Sequence, residues 1–278
     1  MPFVQTGDSR TYYEQRGDGP PVVFVHAAIL DHSLWDAQAE ALADEYTTVV
    51  YDLRGHGRTG GSTREQYAVE LLADDLHALV TGLGLDRPVV CGLSLGGLVA
   101  QSYAARYPDD LSGLVLADTF TPPILSRGEW FLRRVVLNAL VYPVRLVGYE
   151  RVEKANVWLT ERVFRGSGGD YEQIEQLRAT GPKMTTDEFA KVIHSMTRFH
   201  EERVDLAAIA VPTLVLYGEH ELPFVRHHAA ELAARLRDVA VDVIPDAGHA
   251  SNLDAPDEFT DTVRRFLRER VALYEASE

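Results

Sequence analysis

Cysteine is nearly absent from this chain, lysine is scarce and long apolar runs are missing, and each shortage removes a class of protein. The single cysteine, Cys91, excludes an intramolecular disulfide and gives no reason to expect an oxidising compartment. No apolar run approaches the ~20 residues that span a bilayer, and Met1 to Arg16 lacks the charged-then-apolar order of a signal peptide. A soluble cytoplasmic protein without membrane association is therefore expected. Lysine stands only at Lys154, Lys183 and Lys191, so the 27 basic residues are mostly arginine, and 42 acidic residues outnumber them. The resulting formal charge of -15 repels phosphate backbones, so no nucleic-acid partner is expected. The acidic surplus fits a salt-adapted surface or a biased codon composition equally, because net charge speaks to solubility and not to fold. Neither H-E-x-x-H nor a clustered Cys/His spacing occurs, so the sequence indicates no catalytic metal and no cofactor.

What is present is enough apolar material for a large core: 46% of 278 residues are hydrophobic, a size that suits one domain carrying an insertion. Runs rich in Val and Leu recur at Val22–Val25, Val49–Tyr51, Val89–Leu93, Leu114–Ala117 and Leu214–Tyr217, with a shorter alternating run at Val239–Ile244. Such runs read as strands buried on both faces. Helical spacing lies between them, with Leu72, Leu76, Leu79 and Leu83 on one face, Val225, Ala229, Leu232 and Leu236 on another, and Phe259, Val263 and Phe266 on a third. Strand alternating with helix predicts an α/β fold with a mostly parallel, doubly wound sheet. Pro223 fits a helix first turn, Asp254 with Pro256 reads as the start of the last helix, and Pro108 should end the helix Leu98–Tyr107. From about Thr119 to Ala208 the alternation stops; the segment has helical periodicity, a loop-like stretch at Arg165–Asp170 and no convincing strand. It reads as a helical lid, residues 119–208, inserted in a core of residues 1–118 and 209–278.

The stretch Pro88 to Gly97 is a buried strand running through Gly92-Leu93-Ser94-Leu95-Gly96 into an apolar helix. This is the G-x-S-x-G nucleophile elbow in its strand, turn, helix context. So sharp a turn strains the serine backbone, and side chains at the two glycine positions would collide with neighbouring backbone. Ser94 then projects beside a helix amino terminus that favours negative charge, and Leu95 N–H is the natural first oxyanion donor. The alternative is a serine cap between two ordinary turn glycines. Cys91 is a rival nucleophile in name only, since a strand interior makes it a small buried hydrophobe.

Serine needs a base, and His249 is the candidate among ten histidines. It follows the strand ending near Pro245, in a glycine-bearing loop before the last helix, and that loop opens at the carboxyl edge of the sheet. His77, His227 and His228 read as surface or half-buried helix residues, and His194 and His200 fall in the lid. The imidazole needs a carboxylate from another strand end. Glu221, after the strand Thr213 to Tyr217, is the first choice; Glu219 in the same loop and Asp118 at the end of the strand before the lid are alternatives. Glu221 could instead cap the helix near Pro223. Gly55 to Gly60 matches G-x-G-x-x-G, but no helix opens at its glycines and the next strand leads to the elbow, so a dinucleotide site is rejected.

With these residues in view, the sequence resembles the alpha/beta-hydrolase superfamily, and within it the lid-bearing 3-oxoadipate enol-lactonases, cofactor-free haloperoxidases and small esterases. Besides the elbow, PVVFVHAAILDHSLW from Pro21 to Trp35, YDLRGHGRTG from Tyr51 to Gly60 and IPDAGHASNLDAPDEF from Ile244 to Phe259 carry the likeness. The resemblance implies a second oxyanion donor after His26, by position Ala28 N–H, and a structural role for the Gly55 to Gly60 loop. Two departures stand out: Ala27 replaces the usual glycine, and Glu221 the usual aspartate.

The expected reaction is hydrolysis of a small-molecule carboxylic ester or lactone through an acyl-enzyme on Ser94. Carbon–carbon bond hydrolysis, perhydrolase or haloperoxidase chemistry on the same residues, and a noncatalytic binding protein of the same fold are the alternatives. Phe120, Trp130, Phe131, Leu137, Trp158 and Phe199 are candidate apolar walls of a pocket under the lid, although aromatic residues at helical spacing usually bury one another.

Overall fold

Eight strands form one sheet in the order β1-β2-β4-β3-β5-β6-β7-β8. The computed structural model describes residues 2–163, 166–167 and 171–276. The six expected strands are β3 (Pro21–Val25), β4 (Thr47–Tyr51), β5 (Val89–Leu93), β6 (Gly113–Ala117), β7 (Thr213–Gly218) and β8 (Val239–Ile244), all parallel. Two strands escaped the sequence reading. β1 (Phe3–Thr6) and β2 (Ser9–Arg16) form a hairpin, and β2 runs antiparallel to β4. Their sequence, FVQT and SRTYYEQR, is half polar because this hairpin is the outermost part of the sheet, with β1 as its edge, and several of its side chains stay partly or fully exposed.

The central strands have no exposed face, since period-two side chains feed two cores at once. Val23 and Val25 of β3 join Val90, Leu114, Leu116 and Val215 under α2 (Val69–Leu83), α3 (Leu95–Arg106) and α9 (Pro223–Arg235). Val22 and Phe24 join Cys91, Leu93, Val115 and Leu216 under α1 (Asp36–Leu42) and α11 (Pro256–Phe266). Leu72, Leu76 and Leu79 of α2 are fully buried, which stabilises by about 1.5–3 kcal/mol for each side chain.

Between β6 and β7 the chain is helical: α4 (Arg127–Phe131), α5 (Leu137–Val147), α6 (Tyr149–Val163), α7 (Tyr171–Thr180) and α8 (Thr186–Arg198). Most of the predicted loop Arg165–Asp170 lies outside the described residues; Gly166 and Ser167 form a turn. A buried ionic knot ties this insert to the core. Glu129 accepts from Arg133 at 3.0 Å and from His228 Nε2–H at 2.9 Å, while His228 Nδ1 accepts Thr121 N–H at 3.1 Å. His228 is thus completely buried, where a surface or half-buried residue was expected, because α9 turns it toward the insert.

Two helix boundaries differ from expectation. The helix after the elbow starts at Leu95, three residues early, because Ser94 itself is the turn. Asp254 ends a short helix, α10 (Ser251–Asp254), and its carboxylate accepts Gly248 N–H at 2.7 Å, so it braces the loop carrying His249 and does not cap α11. The long helix α2 begins nine residues after Gly60, which leaves the Gly55 to Gly60 loop closed on itself by Gly55 N–H to Gly60 carbonyl at 2.7 Å.

Candidate active site

Ser94 joins β5 to α3 at φ 54 and ψ -114, backbone angles that a residue with a side chain rarely adopts. The turn survives because its surroundings fix it: Ser94 N–H donates to Ala117 carbonyl at 2.9 Å, and Thr119 hydroxyl donates to Ser94 carbonyl at 2.8 Å. The flanking glycines are required by space. A Cβ on Gly92 would stand 2.2 Å from Gly96 carbonyl oxygen, and one on Gly96 would stand 2.0 Å from Val25 carbonyl oxygen.

His249 follows β8 on a loop that turns at Asp246, φ 54, and its Nε2 lies 3.1 Å from Ser94 Oγ. Its Nδ1 lies 2.6 Å from Glu221 Oε2, close enough for a charge-assisted hydrogen bond. Glu221, 3% exposed, is held from its other side by Leu222 N–H, which donates to Oε1 at 2.6 Å. The extra methylene relative to aspartate is therefore absorbed by folding the carboxylate back on its own loop. Burial alone would depress His249, but the charge and hydrogen bond of Glu221, with Asp118 and Asp254 behind it, raise the imidazole to about 9.

The other acid candidates are placed elsewhere. Glu219 is exposed and accepts Asp246 N–H at 3.2 Å, while Asp118 directs its oxygens to Gly218 and Ser251 rather than to His249. Cys91 is fully buried, and burial pushes its thiol far above the usual range, so it offers no thiolate.

Leu95 N–H opens α3, where a helix leaves its first amides without intrahelical partners. Among the described residues neither Leu95 N–H nor Ala28 N–H donates to another group. Ala27 sits in the loop without left-handed strain; the positive φ falls two residues later, at Ile29, φ 58. Beneath the loop, His26 accepts Leu53 N–H on Nε2 at 2.9 Å and donates from Nδ1 to Ala27 carbonyl at 2.8 Å, which fixes its tautomer. Complete burial holds His26 neutral, at about 4.

The aromatic pocket walls are a correction. Phe120 and Phe199 are core residues, 6% and 0% exposed, with ring centroids 6.4 Å apart. Trp130, Phe131 and Trp158 face solvent at 51%, 54% and 60% exposure, because periodicity identifies an apolar stripe without saying which way it points. Leu137 packs on a small insert core of Val144, Tyr149, Phe189 and Ile193. A narrow cavity beside the Ala28 loop, lined by Ile29, Leu30 and His56 from the core and Tyr149, Pro182 and Met184 from the insert among others, involves residues the sequence reading did not single out. These carry no motif; only adjacency to the loop after His26 could have marked Ile29 and Leu30.

Two groups among the described residues bring metal-ligand atoms together, Asp31 with His32 and Asp52, and Glu219 with His220 and Asp246. The first is already internally paired, since Asp52 accepts from His32 ring and backbone and from Arg58 N–H. Neither group contains Ser94, His249 or Glu221. Among the described residues no helix is long and apolar enough to cross a membrane.

Residues 20–256 match the family model described as the alpha/beta hydrolase fold. A thermophilic esterase from Thermogutta terrifontis superposes with a TM-score of 0.79 at 29% identity, covering 96% of this chain and 97% of that one. The enol-lactonase of Burkholderia xenovorans LB400 superposes with a TM-score of 0.78 at 26% identity, covering 96% and 100%. A pimeloyl-(acyl-carrier protein) methyl ester esterase from Nitrosospira multiformis is 26% identical over 94% of this chain and 100% of its own length. The strand order, the elbow and these likenesses agree, and the chain belongs to the alpha/beta-hydrolase fold family as an enzyme of the hydrolase class.

Proposed function

We propose that the protein hydrolyses a small carboxylic ester or lactone through an acyl-enzyme on Ser94. The observation that carries this reading is the unbroken chain from Ser94 Oγ to His249 at 3.1 Å and from His249 to Glu221 at 2.6 Å. Ser94 attacks the carbonyl carbon as His249 Nε2 takes its proton, and Glu221 holds the Nδ1–H tautomer and the imidazolium that forms. Leu95 and Ala28 N–H groups receive the negative oxygen. His249 then protonates the departing alkoxide, which a lactone keeps as the far end of its opened ring. Water, deprotonated by His249, cleaves the acyl-enzyme and restores Ser94.

Residues 119–208 act as a lid over a core of residues 1–118 and 209–278. The cavity at Ile29, Tyr149 and Met184 supports this reading, since it lies where insert and core meet beside the oxyanion loop. The esterase and enol-lactonase likenesses favour ester or lactone over carbon–carbon cleavage or perhydrolysis. Short p-nitrophenyl esters, an enol-lactone and a peracid-forming assay, run side by side, test the choice. Turnover of the first two is expected; peracid formation as the dominant activity would overturn it.

A further inference from the structure

Asp118 directly follows β6, at φ 45, and is 1% exposed, so it bears backbone strain and the desolvation of a carboxylate together. Its Oδ1 accepts Gly218 N–H at 2.9 Å. Its Oδ2 accepts Ser251 N–H at 3.3 Å and the Ser251 hydroxyl as well. Gly218 is the last residue of β7, three before Glu221, and Ser251 lies two after His249. One side chain therefore joins the strand end that carries the acid to the loop that carries the base. Backbone bonds run alongside it, from Glu219 N–H to Ile244 carbonyl and from His220 N–H to Ala247 carbonyl, each at 2.9 Å.

Both oxygens accept from backbone N–H groups, which a carboxylate can do and an amide cannot, since the amide NH2 would face a donor. The carboxylate adds charge, and the charged groups that act most strongly on His249 are acidic: Glu221, Asp118 and Asp254. Resting on the triad reading above, we propose that Asp118 is a positioning residue of that triad. It holds the Glu221 and His249 loops in register, and it supplies a second negative charge that favours the imidazolium formed when Ser94 gives up its proton. Burial first, and then the nearness of Glu221, push Asp118 well above the usual carboxylate range, and His249 opposes that rise; what favours the charged form is the geometry, three donors aimed at its two oxygens.

The test compares Asp118→Asn, which keeps size and one acceptor oxygen, with Ser251→Ala, which removes one tie and no charge. Thermal melting, kcat, KM and the pH profile of kcat/KM on a p-nitrophenyl ester are measured for each. For Asp118→Asn, kcat falls about tenfold or more with KM within about twofold, and the acid limb moves to lower pH, because the imidazolium has lost a negative neighbour. For Ser251→Ala, kcat falls less and the acid limb stays in place. Wild-type kcat and pH profile in folded Asp118→Asn, or a loss confined to melting temperature, would overturn the proposal. Failure of the triad reading is distinguishable, since hydrolysis would then survive Ser94→Ala whatever Asp118 does.

Discussion

At Ser94 the strained turn, the buried acid and the raised histidine belong to one arrangement, and substitutions there separate chemistry from folding. Ser94→Ala removes only the hydroxyl, so ester hydrolysis should fall to background in a protein with unchanged melting temperature; retained turnover would contradict the assignment. His249 gives opposite signs for stability and rate. Its charged form is favoured in the fold, so that contribution to stability is complete below the unfolded value near 6.5 and is lost as pH rises through about 9. The base must be neutral, so kcat/KM should climb across the same window. Glu221→Gln should shift that limb to lower pH while reducing kcat on the order of 10³-fold, and a pH-rate series on both proteins checks it. The placement of Ser94, Glu221 and His249 at one sheet edge was legible because each follows a Val- or Leu-rich strand, and parallel strands open their carboxyl ends together. Glu221 could not be separated from Glu219 by sequence, since both occupy the same short loop and only the backbone path decides which carboxylate turns inward.

Among elements, the elbow and the insert make different demands. An added methyl at Gly96 meets Val25 backbone, which cannot move without disturbing β3, so Gly96→Ala should cost about 1–3 kcal/mol or more, read as a lower melting temperature. Glu129→Gln leaves the Arg133 guanidinium, 1% exposed, without its ionic partner. Removing one member of a buried pair costs about 3–5 kcal/mol, and limited proteolysis should show faster cleavage within residues 119–208. Wild-type cleavage kinetics would mean that the knot does not secure the insert. The six parallel strands were readable because burial on both faces writes a continuous apolar run. β1 and β2 were not, because an edge hairpin mixes polar and apolar residues, and neither were the pocket walls, because the insert helices α4 to α6 leave large apolar side chains such as Phe131, Tyr142 and Leu146 in water.

For the whole molecule, a charge of -15 sets a self-repulsion that the parallel sheet has to withstand. Raising salt shortens the screening length from about 30 Å at 0.01 M to about 3 Å at 1 M, so melting temperature should rise with sodium chloride while turnover of a neutral ester changes little. A flat melting temperature would show that the many surface ion pairs, such as Arg268–Glu45 and Arg106–Asp74, already offset the repulsion. Every step of the proposed chemistry passes through one nucleophile. Its most direct measurement is reaction of the intact protein with a fluorophosphonate, followed by peptide mass mapping. A single adduct on the peptide bearing Ser94, absent from Ser94→Ala, is the predicted result; an adduct on another residue, or none in a preparation that hydrolyses esters, would contradict it.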